Sequence, residues 1–165
     1  MIWADTSLSR HTLTRTIASC LLAAMGALTA PMTLAQSTSA ASMVSVKGPI
    51  LNMRSGPGTQ HDILWELKKG YPLQVQKRQG RWLKVRDFEG DSGWVAHALT
   101  ARSPHHIVKS KAANVRSSPS TQGRIVGKAQ YGELVRTQEK RAGWVRVERA
   151  DGPNGWISKK LLWGW

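Results

Sequence analysis

The sequence predicts an all-β protein built from two small tandem β domains, and three observations carry this prediction. A nine-residue pattern that begins at Asn52 returns at Asn114, an offset of 62 residues. From residue 44 onward, short alternating apolar runs are separated by Gly, Pro and Asp, which is typical of β-strands joined by turns. No segment of this region has the 3.6-residue period of an amphipathic helix. Each unit is therefore expected to form a small closed barrel or a tight sandwich.

The repeat runs through both units without a gap. The residue pairs that coincide at the offset of 62 are Gly70 and Gly132, Trp82 and Trp144, Val85 and Val147, Gly90 and Gly152, Trp94 and Trp156, and Leu99 and Leu161. Two unrelated basic segments would not keep this register, so we infer an internal duplication. Units of about 60 residues are marginally stable alone, which makes mutual support between the two plausible on physical grounds.

Residues 1–35 have the features of a secretory signal peptide. Arg10 and Arg15 supply a basic start, and the apolar run from Ile17 to Ala30 is shorter than an ordinary transmembrane helix. Cleavage is expected near Ala35, and an uncleaved anchor is the alternative. Residues 36–43, rich in Ser and Ala, are expected to form a flexible spacer.

The cysteine content and the charge limit the chemistry. Cys20 is the one cysteine and lies in the predicted leader, so the exported chain would have no disulfide and no thiolate site. A lipoprotein cleavage box should follow the apolar core of the leader. Here the core comes after Cys20, so lipidation of Cys20 is not expected. The net charge of +14 favours anionic partners such as acidic polymers, carboxylate-rich glycans, phosphorylated lipid surfaces or nucleic acid. Solubility alone is the alternative.

The predicted domains span residues 44–100 and 107–165, with residues 101–106 as a short linker. Five strands are predicted in the first domain, at residues 44–46, 63–67, 73–76, 82–86 and 94–95. Those of the second are expected at residues 107–112, 125–126, 133–137, 144–147 and 156–157. The first domain is expected to close with one short helical turn at residues 96–99.

Both units resemble the bacterial SH3 family. The pattern is Asn-hydrophobe-Arg-Ser-Gly-Pro-Gly, a Gly before a β run, Gly-x-Trp-hydrophobe-x-Val, and finally Gly-Trp-Val. It is found at Asn52–Gly58, Gly70, Gly80–Val85 and Gly93–Val95, and again at Asn114–Ser120, Gly132, Trp144–Val147 and Gly155–Ile157. The resemblance implies two SH3-like barrels in a secreted or periplasmic envelope protein. Domains of this family usually bind and do not catalyse, and some that are attached to wall hydrolases recognise peptidoglycan.

The second copy departs from the family pattern in its first loop and in one core position. Gly56 and Gly58 become Ser118 and Ser120, which predicts a loop less able to adopt positive φ. The second copy also carries Thr137 where the first has a valine.

Side-chain alternation predicts a binding face that carries tryptophan and cations. In the strand from Trp82 to Arg86, Leu83 and Val85 are the natural core pair, so Trp82 is expected to face outward. An outward indole beside a cation suits stacking on a sugar ring, a proline or a base, with the cation reaching an anion. The predicted ligand-binding residues are Trp82, Lys84, Arg86, Trp94 and Arg54 in the first copy and Trp144, Arg146, Trp156 and Arg116 in the second.

Structural roles remain open for the four tryptophans and for Arg54 and Arg116. The tryptophans could lie beneath the long first loop, and Arg54 and Arg116 could pin that loop by hydrogen bonding to backbone carbonyls. Asn52 and Asn114 are interpreted as turn-forming residues. Trp65, which Gly127 replaces in the second copy, is either a contact between the domains or an additional groove wall.

The sequence does not predict an enzyme. No nucleophile with a base and an orienting group is visible, and no cofactor or metal site is predicted. His105 and His106 are interpreted as solvated linker residues, since two adjacent histidines rarely complete a metal site. The apolar end, Leu161–Trp165, is expected to close against the second barrel or pack across both barrels. A peripheral membrane contact or a partner contact is the alternative.

Three binding functions fit these observations. The first is a module that binds peptidoglycan or another anionic component of the cell envelope. The second is an adaptor that binds a peptide of another envelope protein. The third is nucleic-acid binding, which the basic charge favours and the predicted export disfavours.

Overall fold

The computed structural model describes residues 42–165, which form two consecutive β units. The strands of the first are β1 (Met43–Val46), β2 (Ile50–Arg54), β3 (Ile63–Lys68), β4 (Pro72–Gln79), β5 (Trp82–Arg86), β6 (Ser92–Ala96) and β7 (Thr100–Ala101). Those of the second are β8 (His105–Val108), β9 (Ala112–Arg116), β10 (Ile125–Gln130), β11 (Leu134–Arg141), β12 (Trp144–Arg149), β13 (Gly155–Ser158) and β14 (Leu162–Gly164). Short 3₁₀ helices, His97–Leu99 and Lys159–Leu161, precede β7 and β14. The predicted leader, 1–35, and residues 36–41 of the predicted spacer lie outside the described residues.

The two units have the same topology. The hydrogen-bonded strand order is β3-β2-β6-β5-β4-β1-β7 in the first unit and β10-β9-β13-β12-β11-β8-β14 in the second. All pairings are antiparallel, and the short connections follow from the turns that glycine allows at Gly80 and Gly90, where φ is 55° and 103°. The prediction of an all-β chain of two tandem SH3-like domains is confirmed.

The prediction of five strands in each unit is wrong, because there are seven. Strands β2 and β9 are absent from the predicted sets, although their residues alternate between apolar and polar side chains. Strands β7 and β14 are also absent from them, because two and three residues are too short to show an alternating pattern. Within residues 42–165, neither of the two helices is long and apolar enough to cross a membrane.

Each barrel has its own core, formed by the inward residues of its strands. Leu83 and Val85 are buried as the alternation predicts, with 4% and 0% of their surface exposed. Burying an aliphatic side chain of this size contributes about 1.5–3 kcal/mol. The first core consists of Val44, Val46, Leu51, Met53, Leu67, Leu73, Leu83, Val85 and Val95. The second consists of Val108, Ala113, Val115, Ala129, Val135, Val145, Val147, Ile157 and Leu162.

The connection between the barrels is shorter than the predicted linker. Strand β7 ends at Ala101 and β8 begins at His105, so only residues 102–104 lie between strands. The interpretation of His106 as a solvated linker residue is wrong, because its side chain is 1% exposed. His106 lies in β8 opposite Val135 of β11, which places it inside the second barrel.

The two barrels contact each other through side chains. Tyr131 of the second barrel donates a hydrogen bond from its hydroxyl to Glu89 Oε1 of the first over 2.6 Å. The ring of Tyr131 also lies 5.5 Å, between centroids, from that of Phe88. His105 packs against the turn at Gly70, where an ideal Cβ would lie 2.9 Å from its Cδ2 atom. A side chain at Gly70, whose φ is 84°, would therefore disturb both the turn and the contact between barrels.

The last strand closes the second barrel and also reaches the first. Strand β14 pairs with β8, and Leu162 is buried in the second core. Trp163 and Trp165 are half-buried and line a cavity of about 390 Å³ together with Met43 and Gln74 of the first barrel. Both predicted packings of the apolar end are thus present at once. Leu161, Trp163 and Trp165 are half-buried, and peripheral membrane contact stays a prediction.

Candidate functional site

The same groove is present on both barrels. Groove 1, of about 220 Å³, is lined by Ile50, Leu51, Asn52, Arg54, Thr59, Trp82, Ala96 and Leu99. Groove 2, of about 230 Å³, is lined by Ala112, Asn114, Arg116, Thr121, Trp144, Ser158 and Leu161. Every residue of groove 2 is the equivalent, at the offset of 62, of a residue in groove 1. The duplication has therefore preserved a surface feature as well as a core.

Three elements build each groove. Strand β2 presents alternate side chains, at Ile50, Asn52 and Arg54, to the outer face of the first barrel. Trp82 begins β5 and pairs with Ala96 of β6, and the 3₁₀ helix supplies Leu99. The second barrel repeats this arrangement with β9, β12, β13 and its own 3₁₀ helix.

Trp82 and Trp144 face outward, as the alternation predicts. Both are half-buried, while Leu83 and Val145, which follow them, are buried in the two cores. An indole in this position keeps one part of its ring accessible, and its N–H can donate a hydrogen bond. The grooves can therefore hold a flat or apolar group against the ring, with the amide of Asn52 or Asn114 nearby as donor and acceptor.

Arg54 and Arg116 hold the first loop of each barrel. Arg54 Nη1 donates to the carbonyl oxygens of Thr59 and His61 over 3.1 and 2.8 Å. Arg116 Nη1 donates to that of Gly123 over 2.7 Å. The structure therefore supports the loop-pinning role. Although both arginines line the grooves, this donor nitrogen on each is already engaged by the protein.

Trp94 and Trp156 do not form an exposed stacking surface. Each has only 8% of its surface exposed, although each lies on the face opposite to its neighbour in the core, Val95 or Ile157. Trp94 is directly opposite Arg54 on one side and Lys84 on the other. The low exposure argues against stacking on a ligand at these two indoles, and their assignment as ligand-binding residues stays a prediction.

The remaining predicted cations lie outside the grooves. Lys84 is half-buried beside Trp94, and Arg86 is exposed farther along β5 with its guanidinium near the turn at Gly90. Arg146 is exposed and lies opposite Trp156. The predicted combination of an outward tryptophan with these three cations is therefore not brought together in one site.

Several groove residues were not predicted, although the repeat marks them. Leu99 and Leu161 coincide in the repeat, and Thr59 and Thr121 belong to the repeated nine-residue pattern. An equivalent residue retained at a surface position is a stronger indication of a shared site than one retained in the core. Asn52 and Asn114 were interpreted as turn residues, but they lie in strands β2 and β9.

One acidic cluster could offer oxygen ligands to a cation. Carboxylate oxygens of Asp87, Glu89 and Asp91 lie within 4.8 Å of one another. However, Asp87 Oδ1 accepts hydrogen bonds from the backbone N–H groups of residues 89, 90 and 91, which fixes the turn. Glu89 is bonded to Tyr131. The cluster therefore has a structural explanation.

Comparisons with known proteins agree with the duplicated architecture. A family model described as bacterial SH3 domain matches residues 47–101, and a second model with the same description matches residues 111–162. The chain is 27% identical over 123 residues to a Bacillus subtilis (strain 168) protein named "Putative N-acetylmuramoyl-L-alanine amidase YrvJ". That match covers 68% of this chain and 24% of the relative, so the chain spans about a quarter of its length.

Two solved structures match the chain at low identity and with low TM-scores. NlpC2 from Trichomonas vaginalis has 15% identity and a TM-score of 0.35, with 78% of this chain and 50% of that one covered. An NlpC/P60 family protein from Bacillus cereus ATCC 10987 has 13% identity and a TM-score of 0.35, covering 74% and 56%. Similarity at this level carries no argument about function. The two family matches and the doubled strand order show that the chain belongs to the bacterial SH3 domain family, with two such domains in tandem.

Proposed function

We propose that this protein is a non-enzymatic binding module of the bacterial cell envelope that recognises peptidoglycan or another anionic envelope component through grooves 1 and 2. Bacterial SH3 domains are commonly cell-wall binding modules. The amidase relative is named for a bond between N-acetylmuramic acid and L-alanine, which is a linkage of peptidoglycan. The predicted signal peptide supports a periplasmic or secreted location.

The observation that carries this proposal is the retention of the same groove on both barrels. A half-buried tryptophan, an asparagine, a threonine and a leucine recur at equivalent positions around each cavity. Such a concave surface with an aromatic wall and a few polar groups suits a sugar ring or a short peptide. Two linked sites on a repeating polymer would bind more tightly than either alone, because the second contact is intramolecular.

The basic charge supports an anionic ligand. The formal net charge is +14, and within residues 42–165 only two ion pairs occupy these cations, Arg136 with Glu148 and Arg149 with Glu133. Much of the positive charge therefore remains available to attract a polyanion over several ångströms. This contribution weakens with added salt, whereas stacking in the grooves depends on salt far less.

Sedimentation with purified sacculi tests the proposal. Trp82→Ala and Trp144→Ala are each expected to weaken binding by about tenfold or more, as the truncation of a central aromatic contact does. The double variant should lose binding further. Trp65→Ala is the matched control, because Trp65 is an indole with 52% exposure that lines neither groove.

The folded state of each variant is checked by thermal unfolding, since both groove tryptophans are half-buried. If folded Trp82→Ala and Trp144→Ala variants sediment with sacculi as the parent does, the grooves are not the binding sites. Equal losses in all three tryptophan variants would also contradict the assignment, because Trp65 lies elsewhere.

An adaptor that binds a peptide of another envelope protein is the second candidate. The observation that favours it is the composition of groove 1, where Ile50 and Leu99 are 57% and 48% exposed beside Trp82. A mainly apolar groove of this kind fits proline or aliphatic side chains. A pull-down from envelope extract with the parent should then recover a specific partner protein. The same pull-down with Trp82→Ala should not recover it. Recovery of sacculi alone would favour the first candidate.

Nucleic-acid binding remains a weaker third hypothesis. The charge fits it, and the predicted export disfavours it. Fractionation of cells that express the full chain would decide, because a cytosolic intact protein would restore this hypothesis.

A further inference from the structure

A row of side chains crosses the outer face of the first barrel beside groove 1. Arg54 of β2 is directly opposite Trp94 of β6, and Trp94 is opposite Lys84 of β5. Lys84 is in turn opposite Lys77 of β4, next to a bulge in that pairing. Residues directly opposite in an antiparallel pair point to the same face. The indole of Trp94 therefore lies in a row with three cations.

Lys77 and Lys84 oppose each other without an acid between them. Like charges directly across two strands are destabilising, and no ion pair within residues 42–165 involves either lysine. Instead, Lys77 Nζ lies 5.1 Å from the centroid of the Trp94 ring. The contact with the indole partly compensates the charge of Lys77, and no acidic side chain pairs with either lysine.

The second barrel shows that the fold does not require this repulsion. At the equivalent positions it carries Glu139 opposite Arg146, a pair of opposite charge in the same register and beside the same kind of bulge. The same strand positions can thus carry opposite charges in place of two cations. The first barrel therefore has two opposed cations that its fold does not require. Such an unfavourable pair indicates a functional reason for it in the first barrel.

We propose that Lys77 and Lys84 form an oxyanion site on the first barrel, which takes a phosphate or carboxylate group. An ammonium group offers three donors, and an anion between two of them removes their repulsion while Trp94 shields one side from water. The site lies outside both grooves, and its test does not depend on the proposed function. Its ligand would be a free anion or an anionic substituent of an envelope polymer.

Thermal unfolding in sodium phosphate and in sodium acetate, each compared with sodium chloride at matched ionic strength, tests this site. The parent is expected to melt at a higher temperature as phosphate or acetate increases, because a ligand of the folded state stabilises it. A larger stabilisation by phosphate would indicate a phosphoryl ligand, and a larger stabilisation by acetate would indicate a carboxylate ligand. Lys84→Gln removes one opposing charge and keeps Lys77 over Trp94, so it should weaken anion binding about tenfold or more.

Two further variants serve as controls. Lys111→Gln removes the same charge at an exposed site of the second barrel and should keep the full anion response. Glu139→Lys places two cations in opposition on the second barrel, and it should add a second anion response and lower the melting temperature in chloride. These outcomes separate a specific site from the general effect of a basic protein in salt.

Two results would overturn the proposal. The first is an anion response in Lys84→Gln that equals that of the parent. The second is a lower melting temperature of Lys84→Gln than of the parent in chloride alone, since relief of a real repulsion leaves stability unchanged or raises it.

Discussion

The ring of His61 lies against Gly56, where an ideal Cβ would come within 2.5 Å of the Nδ1 atom. In the second barrel the equivalent residues are Ser118 and Gly123, and there a Cβ at Gly123 would lie 2.5 Å from Ser118 Oγ. The small residue of this contact is thus Gly56 in the first barrel and Gly123, at the other position, in the second. Neither Gly56 nor Gly58 has positive φ. Access to positive φ therefore explains neither glycine of this loop, and the contact with His61 explains Gly56 instead.

This exchange predicts that a substitution at His61 rescues the stability lost by a substitution at Gly56. Gly56→Ser is expected to destabilise the protein by about 1–3 kcal/mol, as overpacking of a close contact does. Adding His61→Gly should restore most of the loss, because the pair then matches that of the second barrel. Urea unfolding of the two single variants and the double variant measures the coupling. Additive losses in the double variant would show that the two residues do not compete for space.

The roles of Arg54 and Arg116 lead to a second prediction. Arg54→Lys keeps the charge but loses the planar group that reaches two carbonyl oxygens, so it should destabilise the first barrel by about 1–3 kcal/mol. Arg116→Lys should cost less, because Arg116 makes one such bond. Urea unfolding measures both. If Arg54→Lys is as stable as the parent, the arginine does not hold the loop.

The fold could be predicted well because the duplication provides two copies of each sequence pattern. Alternation at Leu83 and Val85 identified core residues, and glycine-rich turns separated the strands. Strands β2 and β9 were missed although their residues alternate, because each runs directly into the first loop, and other missed features have no periodic pattern. Strand β7 has two residues, and the sequence pattern at His105 and His106 does not reveal that β8 begins there.

The site could be predicted only in part. Alternation assigns a side chain to one face of a strand, and it placed Trp82 and Trp144 correctly. It does not show what covers that face, and Trp94 is covered by side chains from neighbouring strands. Cavities form where several elements meet, so Leu99 and Thr59 became groove residues only through the tertiary structure.

The contact between the barrels can be tested at Tyr131. Its hydrogen bond to Glu89 raises the pKa of the Tyr131 phenol, so the hydroxyl stays protonated and remains a donor at neutral and mildly alkaline pH. Tyr131→Ala removes both this bond and the ring contact with Phe88, whereas Tyr131→Phe removes the bond alone. We expect faster tryptic cleavage at Arg102, between the barrels, in Tyr131→Ala than in Tyr131→Phe.

Equal cleavage rates in the parent and in Tyr131→Ala would mean that this contact does not hold the barrels together. Melting of each variant separates the effect from unfolding, since Tyr131 is exposed and its replacement should leave both cores intact.

His106 makes the stability of the second barrel sensitive to acid. The side chain is buried, with Nε2 donating to the main-chain oxygen of Trp165 over 2.6 Å and Nδ1 accepting from the hydroxyl of Thr137 over 2.7 Å. Burial lowers the pKa of His106 to about 4, and the nearby positive charges of Lys140 and Lys159 act in the same direction. The folded protein therefore holds a neutral imidazole at pH 7.

The sign of the pH dependence follows from this lowered pKa. Below about pH 6.5 the unfolded chain takes up a proton at His106 that the folded chain does not, so stability falls as the pH drops from about 6.5 to about 4. At about 1.4 kcal/mol for each pH unit, the loss reaches up to about 3 kcal/mol. Urea unfolding at a series of pH values measures it.

The first barrel supplies the control for this prediction. Its equivalent residues are Val44 and Val75, which belong to its core or pack against it. The double variant His106→Val, Thr137→Val should fold and lose the part of the acid dependence that the parent shows between pH 6.5 and 4. Both proteins have the same carboxylates, so the difference between the two curves isolates His106. Identical curves would mean that His106 takes up its proton equally in the folded and the unfolded chain, which a buried imidazole between Thr137 and Trp165 would not do.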